Sequence, residues 1–375
     1  MSRIIKAETF KLRYGTRGYK LSYGSIHEVF PVLLRLEDEE GLVGWGEANP
    51  QQPFTDESAD DVLAVLCDRL LPSVLQGGSS DPELVRDLLA GERPEADLIA
   101  RGAVDIALMD MLGRRRGVPV AELLGGAVRS SLPVSHPTNN GSAAEDMVVI
   151  DEQLKHDYRH FMLKMGDQSR SIEEEIERVE ILRSTYGARI TIKVDANTGW
   201  SRGEARQFLD GVCDYPIFVE QPLDKNDVDG MAELQAATTL SISADETLTG
   251  MARARELIEK RAARVFSIKI SKNGGILNSR DIATLAADSG ILCYPNSMME
   301  GGITQAASLH LAATLTNLVD AGGSFRSVLR LDGDVTDFAR LISNGTVTLP
   351  DGPGLGITVD ENAVRSGALA TASIG

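Results

Sequence analysis

The feature that most constrains the fold of this chain is a series of short apolar strands that each end on a charged residue. Asp195, Glu220 and Asp245 follow three such strands and lie 25 residues apart. Lys164 ends a strand upstream of them, and Lys269 ends a strand 24 residues beyond Asp245. Such an interval accommodates one strand, one helix and their loops. The spacing therefore predicts a repeated β/α unit.

Strands of this repeat are predicted to begin near eight positions, at residues 132, 160, 190, 217, 241, 265, 291 and 317. Eight strands that alternate with helices predict a parallel (β/α) barrel. The carboxyl ends of the strands of such a barrel meet at one mouth, where active sites form. The strand-end acids and lysines are therefore expected to converge there.

Three carboxylates that converge at a barrel mouth repel one another unless a cation lies between them. Oxygen ligands suit Mg²⁺, which leaves coordination positions open for the oxygens of a substrate. We therefore expect Asp195, Glu220 and Asp245 to bind Mg²⁺, or Mn²⁺ in its place. Asn197 and Glu246 are expected to support these ligands. The alternative is that each acid only caps the helix after its strand, which would require three coincidences at matched spacing.

The first third of the chain lacks the repeat and predicts an α+β domain. Strand-like segments at 3–12 and 28–37 precede a long amphipathic helix over 101–113, which ends before a Gly-Val-Pro sequence. Near residue 345 the chain returns to turns and short strands. We therefore expect three parts, which are an α+β capping domain at 1–128, a barrel catalytic domain at 129–335 and a C-terminal segment at 336–375 that packs back on the cap.

Composition limits the class of partner. The net charge of −17 over 375 residues makes a nucleic acid an unlikely ligand on electrostatic grounds. No apolar run has the length of a membrane span and the first residues lack a signal-peptide pattern, so no membrane partner and a cytoplasmic location are expected. Three scattered cysteines fit a reducing compartment. A small-molecule carboxylate is the expected partner, because the metal and the lysines supply positive charge.

Together, the motifs of this chain resemble the enolase superfamily, in its muconate lactonizing enzyme subgroup. The resemblance covers nearly the whole chain and is carried by Val-Asp-Ala-Asn at 194–197, Val-Glu-Gln-Pro at 219–222, Ser-Ala-Asp-Glu at 243–246, Ile-Lys-Ile-Ser-Lys-Asn-Gly-Gly at 268–275 and further motifs at 103–110, 117–119, 123–126, 161–166 and 299–301. It implies an α/β fold in which an α+β capping domain accompanies a modified TIM barrel of the (β/α)7β type. It also implies that Lys164 and Lys269 are acid/base groups on opposite faces of the substrate, and that the chain forms a homo-oligomer.

Several positions depart from the family pattern. The family has Lys-x-Lys at the end of the second barrel strand, and Met162 stands in place of the first lysine. Lactonizing enzymes carry an acid after the eighth strand, where this chain has glycines at 322 and 323 with Asp320 nearby. This departure argues against lactonisation of muconate itself. No histidine follows the seventh strand, which argues against a base of the mandelate racemase type.

The groups at the barrel mouth define one chemistry with several outcomes. A metal-bound carboxylate has a more acidic α-proton because the enediolate is stabilised, and a lysine can remove that proton. Return of a proton to the other face gives a racemase or epimerase, and reaction of an unsaturated acid gives a cycloisomerase. We expect an isomerase of a small carboxylic acid or amino-acid derivative. The alternative is a dehydratase of a hydroxy acid or a hydroxylated cyclic amino acid such as hydroxyproline.

Two other classes fit the sequence less well. A non-catalytic binding protein on this fold would have no need for both lysines and all three acids. A dinucleotide oxidoreductase would carry G-x-G-x-x-G after a strand, and this chain has none there. Substrate contacts are expected from two loops of the cap and from the last two barrel strands, at Tyr19, Phe54, Ser297, Glu300 and Asp320.

Overall fold

The chain was analysed as a computed structural model, which describes residues 2–21, 24–91, 93 and 95–375, without the side chains of residues 19–21. The strands are β1 (Ile4–Lys11), β2 (Tyr14–Leu21), β3 (Gly24–Val29), β4 (Val32–Asp38), β5 (Val43–Ala48), β6 (Ser131–Pro133), β7 (Ser135–Pro137), β8 (His160–Lys164), β9 (Thr191–Asp195), β10 (Phe218–Glu220), β11 (Ser241–Ala244), β12 (Val265–Ile268), β13 (Leu292–Pro295), β14 (Leu331–Asp332), β15 (Ile342–Ser343), β16 (Thr346–Thr348) and β17 (Ala370–Ile374).

The helices are α1 (Ala59–Val65), α2 (Leu71–Gly77), α3 (Pro82–Ala90), α4 (Leu98–Arg116), α5 (Val120–Leu123), α6 (Ala143–Leu154), α7 (Ile172–Tyr186), α8 (Arg202–Gly211), α9 (Val228–Ala237), α10 (Gly250–Glu259), α11 (Ile276–Asp288), α12 (Gly302–Thr314) and α13 (Glu361–Gly367). A π-helical turn at Leu66–Leu70 joins α1 to α2, and short 3₁₀ turns lie at Gly187–Arg189, Ser327–Leu329 and Phe338–Leu341. No helix in the described part of the chain is both long and apolar enough to cross a membrane.

The cap is built on an antiparallel sheet with the strand order β17-β1-β4-β5. Helix α4 packs directly on β5, and this close approach requires glycine in the strand. A Cβ atom at Gly44 would lie 2.3 Å from the carbonyl oxygen of Ala107, and one at Gly46 would lie 1.9 Å from that of Ala103. The last strand, β17, pairs with β1, and β14 pairs with β2, so both ends of the chain contribute to this part of the molecule.

The barrel is a parallel sheet with the strand order β13-β12-β11-β10-β9-β8-β7. Six of its seven strands, as far as the chain is described, begin within one residue of the predicted starts. The first, β7, begins at Ser135 instead of near residue 132, because the segment at Ser131–Pro133 forms β6 and pairs with β16 in another sheet. The predicted eighth strand is reduced to two isolated parallel bridges, from Leu318 to Cys293 and from Gly323 to Val134. Gly322 has φ +66°, which interrupts an extended strand there. These bridges join β13 to β7, and the predicted (β/α)7β fold class is confirmed.

Local signals explain where several barrel helices begin. Helices α6, α7 and α8 each start after a serine whose hydroxyl accepts from the backbone three residues on, while a glutamate at that position accepts from the serine N–H. This reciprocal arrangement satisfies two backbone donors at each helix start. Because each of these helices follows a barrel strand, the capping residues direct the chain away from the mouth and back along the outside of the barrel.

The cap is docked on the barrel by buried carboxylates. Asp105 on α4 accepts hydrogen bonds from the backbone N–H groups of Ile276 and Leu277 at the start of α11. Glu47 on β5 accepts from Gly301 N (2.7 Å) and Thr304 N (2.9 Å) at the start of α12. These helix starts lie just after barrel strands, so the contacts hold the cap over the barrel mouth.

Candidate active site

The predicted acids and lysines meet at the carboxyl ends of five neighbouring barrel strands. Lys164 ends β8, Asp195 ends β9 and Glu220 ends β10, and in the parallel register Asp195 lies beside both of the others. Asp245 follows directly after β11, and Lys269 follows directly after β12. All five residues are at most 7% exposed. The structure therefore brings together five residues that span more than 100 positions of the sequence.

Both lysines pair with carboxylates of this group. Lys164 Nζ donates to Asp195 Oδ2, and Lys269 Nζ donates to Asp245 Oδ2 at 2.7 Å. Burial lowers the pKa of Lys269, but nearby carboxylates, above all Asp245, outweigh it and raise the pKa above its ordinary value. Burial conversely raises the pKa of Asp245, and the adjacent lysines lower it below its ordinary value. The two groups are therefore a mutually stabilised ion pair.

Glu220 lies between these two pairs in strand order and is fully buried. Its Oε1 accepts from Ser267 Oγ (2.9 Å) and from Asn296 Nδ2, while its Oε2 has no hydrogen-bond partner in the part of the chain that is described. Burial, followed by the charges of Asp195 and Asp245, raises the pKa of Glu220 well above its ordinary value. A buried carboxylate oxygen without a partner, next to two further carboxylates, is the environment that a cation would stabilise.

The three carboxylates do not converge on one point, because Asp195 and Asp245 each pair with a lysine. Among the described residues, no group of three or more His, Cys, Asp or Glu side chains is arranged closely enough to hold a metal ion as it stands. Two of the three predicted ligands, Asp195 and Asp245, are engaged by ammonium groups. Binding of a divalent cation here would therefore replace contacts with lysine by contacts with the ion. The donor set, which is all carboxylate oxygen, suits Mg²⁺.

Asn197 and Glu246 adjoin the carboxylates, where the sequence predicts them. Asn197 Nδ2 donates to Glu246 Oε1 at 3.1 Å, and Asn197 Oδ1 accepts from Lys164 Nζ at 3.3 Å. The backbone N–H of Asn197 also donates to Asp195 Oδ1 at 2.9 Å. Burial and the neighbouring acids raise the pKa of Glu246 to about 8. Asn197 thus connects Lys164 to Glu246 through its side-chain amide, and its backbone N–H holds Asp195.

Two further buried lysines belong to this region and were not singled out from the sequence. Lys272 Nζ donates to Asp245 Oδ1 at 2.8 Å, and it lies three residues after Lys269 in a motif already noted. Lys193 lies two residues before Asp195, so the period of two predicts that both side chains share a face. Its Nζ lies 3.3 Å from the ring centroid of Tyr294 and has no hydrogen-bond partner among the described residues.

Lys193 lies beside Met162, which occupies the position of the first lysine in the Lys-x-Lys pattern. Lys193 on β9 is the register partner of Met162 on β8. Met162 packs in a small apolar cluster with Phe218, Val265 and Tyr294 inside the barrel. Burial lowers the pKa of Lys193 well below its ordinary value. The barrel interior therefore carries a buried amine one strand away from Met162.

A cavity opens above these groups and is partly continuous with solvent. Lys164, Asn197 and Lys269 line it, together with Phe54 from the cap, whose ring centroid lies 4.0 Å from Lys269 Nζ. Lys164 and Lys269 thus face the same space from the second and sixth strands of the barrel sheet.

The other predicted substrate contacts have different positions. Ser297 lines the cavity, and Glu300 is buried behind it and accepts from the Ser297 hydroxyl. Asp320 is exposed and is not among the residues that line the cavity. The side chain of Tyr19 lies outside the described part of the chain.

Other cavity residues were not predicted individually, among them Asn296, Arg326 and Arg330. Asn296, which holds Glu220, follows directly after β13, so the strand-end rule could have identified it. Arg326 and Arg330 also line the cavity. They lie beyond the last barrel bridge, in a segment without a regular strand, and no periodic signal in the sequence points to them.

The fold and the site define a class of protein, namely capped (β/α) barrels with acids at the ends of successive strands and lysines on either side of them. Comparison with known proteins identifies the family. Residues 144–363 match the model described as "Enolase C-terminal domain-like", and residues 4–125 match that of the "Mandelate racemase / muconate lactonizing enzyme, N-terminal domain". The chain belongs to the enolase superfamily, in the muconate lactonizing enzyme subgroup.

Individual relatives cover nearly the full chain. Muconate cycloisomerase 1 of Acinetobacter baylyi is 30% identical over 93% of this chain and 95% of its own length. The L-Ala-D/L-Glu epimerase of Bacillus subtilis is 29% identical over 95% and 96%. The crystal structure of the N-succinyl Arg/Lys racemase of Bacillus cereus superposes with a TM-score of 0.92 at 26% identity and full coverage of both chains. That of the Pseudomonas fluorescens muconate lactonizing enzyme with muconolactone has a TM-score of 0.90 at 29% identity, covering 98% and 99%.

Proposed function

We propose that this protein is a Mg²⁺-dependent isomerase that removes the proton α to the carboxylate of a small carboxylic acid or amino-acid derivative, through an enediolate. The observation that carries the proposal is the pair of buried lysines, Lys164 and Lys269, which face one cavity on either side of the acids in strand order. The relatives named above are a cycloisomerase, an epimerase and a racemase, which supports an isomerase.

Asp195, Glu220 and Asp245 would hold the metal ion, and this assignment is supported by Oε2 of Glu220, which has no hydrogen-bond partner among the residues that the structure describes. When bound, Mg²⁺ supplies positive charge that stabilises the negative charge of the enediolate and favours the neutral form of nearby lysines. Asn197 and Glu246 would keep the surrounding hydrogen bonds in place.

The two lysines perform the proton transfers in this proposal. One lysine removes the α-proton as a general base, and the other delivers a proton to the opposite face of the same carbon as a general acid. Phe54 lies over Lys269 and would shield this amine from bulk water. Asn197 accepts from Lys164 Nζ and would orient the other amine.

Among the isomerases, we favour a racemase or epimerase over a cycloisomerase. The acid that lactonizing enzymes carry after the eighth strand has no counterpart among the described residues that line the cavity, because Asp320 is exposed and lies outside the lining. Two lysines facing one cavity, in contrast, meet the requirement for proton exchange on two faces of one carbon. A homo-oligomer remains a prediction from the family pattern.

The test is solvent deuterium exchange at the α-carbon of a panel of carboxylic acids in D₂O with Mg²⁺, followed by NMR and mass spectrometry. Lys164→Ala should abolish exchange for one enantiomer and Lys269→Ala for the other, by about 10²–10⁴-fold. Both variants should remain folded and bind Mg²⁺. Lys260→Ala, at an exposed lysine that pairs with Asp229, is the matched control and should exchange like the wild type.

Two outcomes would change the proposal. Absence of exchange with every acid in the wild-type protein, with Mg²⁺ bound, would refute proton abstraction. A lysine variant that retains wild-type exchange with both enantiomers would remove that lysine from the acid/base role. If only one lysine is needed and the substrate loses a hydroxyl group, the protein is a dehydratase instead.

A further inference from the structure

A second cavity lies on the other side of Phe54 from the active-site cavity that Lys164 and Lys269 face. Phe54 lines both cavities. Four acids and two lysines line the second one, namely Asp56, Glu57, Glu95, Glu246, Lys225 and Lys272. The acids come from the cap and from the end of β11, so this acid-lined cavity lies between the cap and the barrel.

The two cavities differ in the charge of their walls. No acid is among the described residues that line the active-site cavity, whereas four basic residues do line it, namely Lys164, Lys269, Arg326 and Arg330. Charges of this sign attract an anionic substrate and repel a divalent cation. A metal ion that approached the three carboxylates from this side would therefore meet an electrostatic barrier.

The lysines of the acid-lined cavity are already paired with carboxylates. Lys225 pairs with Asp56 at 2.8 Å, and Lys272 pairs with Asp245 at 2.8 Å. Each pair is neutral as a unit, so it offers little repulsion to a cation at a distance. The net charge of this cavity is therefore set by its other acids.

These other acids, Glu57, Glu95 and Glu246, form a series of increasing burial. Glu95 is exposed, Glu57 is half-buried and Glu246 is 7% exposed. Within the described part of the chain, no lysine or arginine forms an ion pair with Glu57 or Glu95. Oε2 of the buried Glu246 also lacks a hydrogen-bond partner among the residues described. The series leads from solvent to the residue that follows Asp245.

Asp245 is the point at which the two cavities meet. Lys269, on the active-site side, donates to its Oδ2 at 2.7 Å, and Lys272, on the acid-lined side, donates to its Oδ1 at 2.8 Å. The ring centroid of Phe54 lies 4.0 Å from Lys269 Nζ and 5.5 Å from Lys272 Nζ. One carboxylate can thus be approached from two directions, which the ring of Phe54 separates.

We propose that Mg²⁺ enters the site through the acid-lined cavity, past Glu95 and Glu57, and reaches Asp245 from the side of Lys272. The active-site cavity is then left to the anionic substrate, so metal and substrate have separate routes. Fixed negative charge along such a route raises the local concentration of a cation and its rate of association. This inference rests on the proposed function, because it concerns the metal ion of the same site.

The rate of Mn²⁺ association tests the route without any substrate. Stopped-flow mixing with a fluorescent Mn²⁺ indicator gives the rate constants, and electron paramagnetic resonance of the free ion gives Kd. In Glu57→Gln/Glu95→Gln the association rate constant should fall by about 3–10-fold at low ionic strength, and high salt should reduce the difference. Kd should rise by a smaller factor, because neither residue is a proposed ligand. Glu259→Gln, exposed at the C-terminal end of α10, is the matched control and should associate at the wild-type rate.

A second experiment changes the charge of the cavity by chemical labelling. Thr249 lines the cavity and is exposed, so Thr249→Cys can be labelled in a background where the exposed Cys213 is replaced by serine. Two methanethiosulfonate reagents of similar size attach either a trimethylammonium-ethyl or a sulfonatoethyl group. The cationic adduct should bind Mn²⁺ at least about 3-fold more slowly than the anionic one. Cys213→Ser alone, treated in the same way, controls for labelling of Cys67 and should show no difference.

Three results would overturn the route. An unchanged association rate in folded Glu57→Gln/Glu95→Gln, or equal rates for the two adducts, would do so and would leave the metal assignment intact. A change confined to the dissociation rate would also do so, because these acids would then act on the bound ion. Failure of the wild-type protein to bind Mn²⁺ would instead refute the metal assignment of the proposed function, and the route with it.

Discussion

At the scale of single residues, the site is a network of buried charges in which several polar side chains contact more than one neighbour. Asn197 is the clearest case, because its amide contacts Lys164 on one side and Glu246 on the other. Its backbone N–H also binds Asp195. If Asp195 is a metal ligand as proposed, Asn197 would influence metal affinity without touching the ion.

Replacement of Asn197 by alanine is therefore expected to weaken Mg²⁺ binding by about 10–100-fold, as measured by isothermal titration calorimetry. The residue has φ +43°, so Asn197→Gly is the matched control, because glycine tolerates this conformation. Both variants lack the amide, and both should lose affinity to a similar extent. Wild-type affinity in the glycine variant would show that the amide has no supporting role.

Lys193 presents the opposite situation, since it is fully buried and its amine has no hydrogen-bond partner among the described residues. Such a group usually reduces stability, although contact with the ring of Tyr294 offsets part of the cost. We expect Lys193→Met, which preserves the length and apolar stem of the side chain, to increase the free energy of unfolding by about 1–2 kcal/mol.

Chemical denaturation of the two proteins measures this difference. Lys155→Met, at an exposed lysine on the barrel surface, controls for the general effect of losing a positive charge. A clear loss of stability in Lys193→Met would contradict the prediction and would mean that the amine stabilises the barrel interior through Tyr294.

At the scale of elements, helix α7 holds the end of strand β8 in position. Arg178 on α7 is buried, and it binds both carboxylate oxygens of Asp146 on α6, including a contact of 2.9 Å. The same guanidinium donates to the carbonyl oxygen of Lys164 at 2.8 Å. It also donates to the carbonyl oxygen of Asn139 at 3.1 Å. One side chain thus joins two helices, a loop and the strand that carries a proposed catalytic lysine.

Arg178→Lys should lower the free energy of unfolding by about 3–5 kcal/mol, because lysine cannot make these parallel contacts and Asp146 remains buried. The rate of α-proton exchange should fall as well, since the end of β8 loses an anchor. Arg183→Lys, on the same helix, is the control, because in the described part of the chain the Arg183 guanidinium donates a single hydrogen bond, to the carbonyl oxygen of Ile190. Similar stabilities for the two variants would refute the special role of Arg178.

At the scale of the whole molecule, the cap depends on buried acids that contact helix starts of the barrel. Burial raises the pKa of Asp105 to about 7, although the N–H groups of Ile276 and Leu277 and the charge of Arg86 lower it, and the charge of Glu83 adds to the increase. The pKa in the folded state is thus above the ordinary value of 3.8. The stability that protonated Asp105 contributes is present at low pH and is lost as the pH rises through about 7.

Asp105→Asn keeps a carbonyl acceptor for the helix and removes this titration. We therefore expect the stability of the variant relative to wild type to increase between pH 5 and pH 8, in urea unfolding at each pH. Asp288→Asn is the control. It lies at an exposed position on α11, the helix that Asp105 contacts, and should show no such pH-dependent difference. A constant difference between Asp105→Asn and the wild type at the two pH values would contradict the raised pKa.

The sequence by itself determined the repeat, the barrel class and the five central side chains. Strand period and the spacing of strand ends are local properties, and parallel strands bring their carboxyl ends together regardless of the details of packing. Lys164, Asp195 and Lys269 could be named for this reason. Lys193 followed from the same period of two and could have been named as well.

Only the tertiary structure decided which distant groups meet. The contact of Lys193 with Tyr294, the hydrogen bond from Asn296 to Glu220 and the docking of Asp105 on α11 join residues on separate elements. Arg326 and Arg330 lie in an irregular segment, and they face the cavity because closure of the barrel places that segment beside β7. Such contacts depend on how the sheet curls and how the cap is seated, and neither is encoded in local periodicity.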